Sequence, residues 1–392
     1  MSFSFAFDVA ADELDDELDL PIQQLKISET PQASGSGSAV PHKEVPLNEL
    51  LETLPPLLSY TAVTVPLSST PSQISRQLSL LRRDLFDARF QVLNQDEEDE
   101  EGSKPAEGKG KQREELFIDE QTDLVKGVYE GGLKTWECSL DLVDCLDSRG
   151  FAVDAELETP RVRGKSILEV GCGTAVPTCA LFLRLLNEIR KSPTDPDAPR
   201  PKKTRIHFQD YNKQVLTLIT LPNLLLTYAL HLASPSVAPD ADEDPSTSGP
   251  EPGELEVTPE FLESFESLLE RENIELRFFE GDWSGMDETI RAEKEGYDLV
   301  LTSETVYSVP SLEPLLDLLE ASCEGAESPL CLVACKRIYF GVGGGELEFR
   351  RRVEERGGEV EAVWGQGEGK GKSSGVGRTV MSVKWKEGEK AQ

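Results

Sequence analysis

Two stretches of the chain carry residue types and spacing able to hold a nucleotide-like cofactor: ILEVGCGTA from Ile167 to Ala175 and HFQDYN from His207 to Asn212. In the first, an apolar run ends in Gly171-x-Gly173, which lets the chain turn sharply into a helix while its backbone closely approaches a ligand, since glycine has no side chain in the way. In the second, a strand-like run ends in the carboxylate of Asp210, an acceptor suited to the two hydroxyls of a ribose. Spacing narrows the choice of cofactor. A nicotinamide fingerprint would place a third glycine where Val176 stands, and the Gly-x-x-x-x-Gly-Lys-Ser/Thr spacing of a P-loop occurs nowhere in the chain. What remains is a class I S-adenosylmethionine pocket.

Such a pocket must be positioned by strands that end together. From Gln112 onward, strands alternate with helices, the pattern of a parallel α/β sheet covered on both faces. The predicted strands are Ser166–Val170, Arg205–Asp210, Ile274–Asp282, Tyr297–Glu304 and Pro329–Lys336, then Glu359–Trp364 and Arg378–Lys386 after a helix over Gly345–Gly357. Seven strands closing in an antiparallel hairpin match the methyltransferase version of the doubly wound, Rossmann-like fold, spanning residues 113–387. Residues 1–112, rich in acid, Pro and Ser, are expected to form a largely disordered arm with an occasional amphipathic helix near Ile74 to Phe90, and residues 234–259 a surface insertion. The uncharged run Val215 to Ala233 is nearly long enough to span a bilayer, but Pro222, Asn223 and His231 favour a helix buried along the sheet.

Composition excludes several functions. A net charge of −33 rules out gripping nucleic acid through a general basic field. Much of the acid lies in runs such as Asp96 to Glu101 and Ala238 to Ser246, read as solvating tails or, alternatively, as attraction for a basic protein partner. Seven cysteines without CxxC pairs read as reduced intracellular thiols, and the three histidines do not cluster with other ligands, so no metal is expected. The first residues carry no basic segment and their apolar run is soon broken by Asp and Glu, so no secretory leader is expected.

Upstream of the core lies LVKGVYEGGLKTWECSLDL, beginning at Leu124, a run that resembles the signature of the METTL18/Hpm1-type protein-histidine N-methyltransferases of the seven-strand superfamily. The resemblance covers roughly residues 112–385 and extends to HFQDYN with Pro222-Asn223, to GDWS at Gly281–Ser284, to LTSETVY at Leu301–Tyr307 and to KRIYFGVGGG at Lys336–Gly345. The acidic N-terminal arm and the insertion near Ser234 depart from the pattern but lie outside its motifs. The resemblance implies that Thr135, Trp136, Glu137, Cys138 and Ser139 cover the cofactor, that Gly171 and Gly173 lie against it, and that Gln209, Asp210 and Tyr211 hold its ribose. It further implies Gly281, Asp282 and Trp283 around the adenine and Ser303 near the methionine end. Asp282 could accept from the adenine amino group while Trp283 offers an apolar face. Taken singly, the tryptophans could be packing aromatics and Asp210 a helix cap; their joint placement at strand ends favours the site.

The implied reaction moves a methyl group to the tele nitrogen of a histidine, with a large-subunit ribosomal protein as the implied substrate. An imidazole with a pKa near 6.5 is mostly neutral at pH 7 and needs no strong base, only an acceptor for its other ring N–H that fixes the tautomer. Glu304 is the first candidate for that acceptor and Glu130 the second; Glu304 could instead cap a helix. The glycines from Gly341 to Gly345 suit a substrate-facing loop or a plain turn. Two alternatives stand beside this reading. One is a lysine methyltransferase of the same fold, since Glu304-Thr305-Val306-Tyr307 keeps an acidic-x-x-aromatic spacing; the other is a non-catalytic module that shields a basic ribosomal protein. A monomer acting in the cytoplasm and nucleus is expected.

Overall fold

In a computed structural model of the chain, Ser166–Val170 is buried along its whole length, as the central strand of a sheet covered on both faces must be. The structure describes residues 40–68, 76–88, 91, 132–151, 153, 162–195, 197, 199–234, 250–294, 296–340, 343–365 and 376–385. In chain order, the first part comprises β1 (Lys43–Val45), α1 (Leu47–Glu52), β2 (Leu57–Leu67), β3 (Arg76–Arg83) and α2 (Glu137–Leu146). The doubly wound core begins with β4 (Ser166–Val170), α3 (Val176–Lys191), β5 (Thr204–Asp210) and α4 (Lys213–Ala233). It continues through β6 (Gly253–Glu256), α5 (Pro259–Arg271), β7 (Ile274–Glu280), α6 (Met286–Glu293), β8 (Leu299–Ser303), α7 (Leu312–Cys323) and β9 (Leu330–Lys336). Last come α8 (Glu346–Glu355), β10 (Glu359–Trp364) and β11 (Arg378–Lys384).

The main sheet has the order β1-β7-β5-β4-β8-β9-β11-β10. Strands β7, β5, β4, β8 and β9 run parallel, while β11 and β10 close one edge antiparallel, as the predicted C-terminal hairpin requires. From β4 the chain winds outward to β5 and β7, then crosses back to β8 and β9 on the other side. The crevice outside the carboxyl ends of β4 and β8 is therefore the topological switch point, where doubly wound sheets bind ligands.

Helix α4 shows how the polar residues of an apolar run are used. It is buried over most of its length, with a π-helical stretch at Leu216–Thr220 just ahead of Pro222, whose missing N–H interrupts the regular ladder. Asn223 accepts from the Arg83 backbone N–H at 2.8 Å and donates to the Thr174 carbonyl at 2.8 Å, and Thr220 donates to the Gly173 carbonyl at 2.7 Å. The helix thus braces the glycine turn at the end of β4, and its polar side chains serve the fold.

The arm expected to be disordered is, where described, folded. β1 adds an eighth strand to the main sheet, antiparallel to β7, with Val45 and Leu50 buried against the core. β2 pairs with β3 and also with β6, which lies inside the stretch expected to be a surface insertion. The resulting three-stranded sheet is anchored by Arg83, fully buried, which donates to the Leu218 carbonyl at 2.9 Å and to Asp87 at 2.7 Å. Within Ile74 to Phe90, where an amphipathic helix is expected, Arg76–Arg83 is instead the strand β3, because antiparallel pairing with β2 along its whole length overrides the local helical pattern.

Candidate functional site

The turn after β4 makes the floor of the site. Gly171 and Gly173 adopt φ of +60° and +50°, a left-handed geometry that favours glycine, and a Cβ on Gly171 would stand 2.5 Å from Thr305 Cγ2. Struts from β5 hold this turn: the Gly171 N–H donates to Gln209 Oε1 at 3.2 Å and the Gly173 N–H to Asp210 Oδ2 at 2.9 Å. Gln209 also donates to the Gly281 carbonyl at 2.8 Å and accepts from the Trp283 indole at 2.7 Å, so one buried amide joins the ends of β4, β5 and β7. The N-terminal segment completes this side, because the Asp282 N–H donates to the Val40 carbonyl at 2.8 Å.

Between these strand ends and β8 lies a cavity of about 270 Å³. Of the residues named from sequence, Trp136, Ser139, Gly171, Gly173, Asp210, Tyr211, Asp282, Trp283, Ser303 and Glu304 line it. Thr135, Glu137, Cys138, Gln209 and Gly281 do not. Thr135 donates to Thr174 at 3.2 Å, Cys138 is buried beneath the cavity wall, Glu137 faces Lys336, and Gln209 and Gly281 stand behind the lining as struts. Glu130, the second candidate for the acceptor-orienting carboxylate, lies outside the described residues. Lys134, Thr174, Thr305, Tyr307, Ser308 and Ser311 also line the cavity. The first four sit inside the runs singled out from sequence, and only their side-chain direction was missing.

The cavity has a shape and polarity that fit S-adenosylmethionine. A side chain on Gly171 would fill the floor, the Trp283 ring offers an apolar wall, and the carboxylates of Asp210 and Asp282 and the amine of Lys134 supply polar groups of both signs around the rim. Asp210 is committed in part, accepting from the Gly173 N–H and from the Asn212 N–H at 3.2 Å, which fixes the orientation of its carboxylate at the cavity wall.

The other end of the cavity is built differently. Glu304 follows β8 with φ of +59°, a left-handed conformation uncommon outside glycine, and its N–H donates to the Ala334 carbonyl at 2.9 Å on β9. Its Oε2 accepts from the Tyr339 hydroxyl, and its Oε1 is buried without a hydrogen-bond partner, with Lys336 Nζ 3.8 Å away. Lys336 Nζ also lies 3.3 Å from Glu137 and 5.0 Å from the centroid of Trp136, and the Lys336 N–H donates to the Tyr339 oxygen at 3.2 Å. Burial and the neighbouring Glu304 charge push the Tyr339 phenol well up, so it stays protonated and donates. Burial alone would raise Glu137, but its own backbone N–H and Lys336 outweigh that and hold its carboxyl below the usual range.

The glycine run after β9 is a close packing of backbones. The Gly344 N–H donates to the Tyr307 carbonyl at 3.1 Å and the Gly345 N–H to the Val306 carbonyl at 3.0 Å, and a Cβ on Gly344 would fall 2.2 Å from the Tyr307 carbonyl oxygen. These N–H groups are thereby engaged, and in place of an open substrate loop Gly343 to Gly345 form a tight turn that supports Tyr307. Gly341 lies outside the described residues.

No family profile matches the chain. Among curated proteins, it is 32% identical over 312 residues to histidine protein methyltransferase 1 of Schizosaccharomyces pombe, covering 79% of this chain and 76% of that one. It is 29% identical over 381 residues to the Saccharomyces cerevisiae protein of the same name, covering 91% of each. The Bos taurus histidine protein methyltransferase 1 homolog is 34% identical over 242 residues, which make up 60% of this chain and 51% of that one. Among solved structures, the methyltransferase CalH in complex with SAH aligns with 57% of this chain and 52% of its own at 17% identity and a TM-score of 0.29, a likeness too weak to add to the strand order.

Proposed function

The chain belongs to the histidine protein methyltransferase 1 family, and on that premise we propose that it methylates the tele nitrogen of a histidine in a large-subunit ribosomal protein. The methyl donor is S-adenosylmethionine, which when bound supplies an electrophilic methyl group on a sulfonium. The chain's own residues have two tasks. The first is to hold the cofactor at the switch point, through the Gly171 turn, Asp210, Tyr211, Asp282 and Trp283. The second is to aim the acceptor ring.

The observation that carries the acceptor chemistry is the buried Oε1 of Glu304, an oxygen with lone pairs and no hydrogen-bond partner at the end of β8. A buried acceptor left unsatisfied is costly, and a ring N–H arriving beside it removes that cost. Accepting from the second ring nitrogen, Glu304 fixes the tautomer that leaves the tele lone pair free and balances the imidazolium charge as it develops. Tyr339 holds the opposite oxygen, so the carboxylate does not rotate away. The extra proton of the product imidazolium then passes to water.

Support for a basic ribosomal substrate comes from charge, since a net −33 favours encounter with a strongly basic protein. Exposed Ile338 and Phe340 flank Tyr339 and give that polypeptide an apolar foothold. No nucleic acid, metal or membrane enters this reading, the protein acts as a monomer, and its place is the cytoplasm and nucleus. The experiment is incubation with radiolabelled S-adenosylmethionine and a proteome lacking this enzyme, followed by acid hydrolysis. Label in tele-methylhistidine from a band of ribosomal-protein size is the expected result; label in methyllysine, or no label despite cofactor binding, would overturn it.

A further inference from the structure

We infer that Lys336 is a specificity-determining residue that makes the acceptor pocket select an uncharged imidazole and reject a lysine ammonium; the inference rests on the protein-histidine reading above. Glu304 and Tyr307 share the spacing of the acidic-x-x-aromatic pattern expected of lysine methyltransferases on this scaffold, so the backbone alone does not tell the two chemistries apart. What differs is the state of the carboxylate.

A carboxylate that is to receive a substrate ammonium must present uncompensated negative charge. Glu304 does not. Its Oε2 is taken by the Tyr339 hydroxyl, and the ammonium of Lys336 stands 3.8 Å from its Oε1, inside the protein, where the Lys336 side chain is 13% exposed and that of Glu304 10%. Lys336 is itself held in place by Glu137 at 3.3 Å and by the face of Trp136, which lines the cavity. The protein has thus placed its own lysine where a lysine substrate would look for its counter-ion. A second ammonium arriving there would meet Lys336 and a cationic cofactor, two positive charges against the two carboxylates of Glu304 and Glu137 that Lys336 already shares, in surroundings where desolvation magnifies like-charge repulsion. It would also have to shed a proton, because at pH 7 only roughly 1 in 2,500 lysine side chains is neutral, against about three quarters of imidazoles. A neutral imidazole meets neither obstacle, and its N–H still finds lone pairs on Glu304 Oε1 that the 3.8 Å contact leaves without a hydrogen bond.

The test compares the full-length wild type with Lys336→Met, which keeps length but removes charge, and with Lys336→Arg, which keeps the charge. Each is incubated with radiolabelled S-adenosylmethionine and the proteome lacking the enzyme, and the ratio of methyllysine to methylhistidine is measured after hydrolysis. The ratio is expected to rise about tenfold or more in Lys336→Met and to stay at the wild-type value in Lys336→Arg, with cofactor affinity unchanged in both. A purely structural role would lower total turnover without moving the ratio, and an unmoved ratio in Lys336→Met overturns the inference. Should that variant turn over too little to score, binding of n-butylamine and of 4-methylimidazole to each protein saturated with S-adenosylhomocysteine decides the matter by saturation-transfer NMR. Butylamine binding gained only in Lys336→Met supports the inference; the same preference for methylimidazole in all three proteins overturns it. Methyllysine as the product of the wild type itself would overturn the protein-histidine reading, a result distinct from either.

Discussion

The two ends of the cavity solve different problems by different means. At the cofactor end, backbone sets the frame: a left-handed glycine turn, strand-end carbonyls and N–H groups, and one buried glutamine that ties three strands together fix where Asp210, Tyr211, Asp282 and Trp283 stand. At the acceptor end, the groups are side chains that carry charge: Glu304, Lys336 and Glu137, steadied by Tyr339 and Trp136. Backbone geometry suits a ligand whose shape does not vary. Charged side chains suit a choice between substrates, because one substitution changes their sign without disturbing the sheet. On the proposed reading the fold holds the cofactor, and a few residues around the ends of β8 and β9 set the specificity.

If this division is right, substitutions at the two ends fail in different ways. The largest effect is expected from Gly171→Ala, where a methyl group would meet Thr305 Cγ2 at 2.5 Å in a backbone conformation that already disfavours a side chain. Cofactor binding should be lost by about 100-fold or more, measured by calorimetry with S-adenosylhomocysteine, since neither the turn nor the ligand can move without breaking strand-end hydrogen bonds. Glu304→Gln should act on the other end. The amide keeps the size but presents an N–H or a weaker acceptor to the ring, so kcat is expected to fall about 10²-fold while cofactor affinity holds. A matching loss of affinity would show that Glu304 holds the cofactor instead, and the division would collapse. Gln209→Leu should sharpen it from behind the lining. Removing the struts to Gly171, Gly281 and Trp283 leaves backbone groups without partners, so affinity should drop by about tenfold with kcat at saturation little changed. An equal loss in kcat would mean that the amide also serves the acceptor end.

The same division governs what could be read from the sequence. The Gly171-x-Gly173 turn, the strand end at Asp210 and the C-terminal hairpin are local, and the residue pattern alone places them, whereas the fourth predicted strand runs one residue too far, to Glu304. The cluster around Glu304 is not local: Tyr339 is 35 residues away and reaches the carboxylate because β9 lies beside β8. Its motif was visible, but not which side chains would meet. Gln209, named as a ribose ligand, turned out to stand behind the cavity, since alternation along β5 puts it on the opposite face from Asp210. The folded part of the N-terminal arm escaped for a different reason. β1 and β6 find their partners more than 150 residues away, and the local β2–β3 pair, interrupted by Pro66 and by arginines, carries too weak a period of its own to declare a strand.

The smallest expected effect lies beneath the cofactor end and concerns stability. Glu169 sits in the fully buried β4, two residues before the glycine turn, where its Oε2 accepts from the Thr178 N–H at 3.1 Å and its Oε1 has no hydrogen-bond partner. Burial pushes its carboxyl up to about 8. A carboxyl whose folded pKa lies above its unfolded value of about 4.3 makes the folded state bind more protons between those two pH values. Stability from this group is thus full below about pH 4 and falls as the pH rises toward 8, the reverse of a salt-bridged acid. Glu169→Gln keeps the acceptor for Thr178 but cannot ionise. The variant should melt close to wild type at pH 5 and above it at pH 8.5, by several degrees if the difference reaches the order of a few kcal/mol. Calorimetric scans of both proteins across that range check it, because the other titrating groups cancel in the difference. A gap in melting temperature that stays constant with pH would show that Glu169 is ionised in the folded protein. It would then be a buried charge beneath the glycine turn, and the frame of the cofactor end would no longer be set by backbone geometry alone.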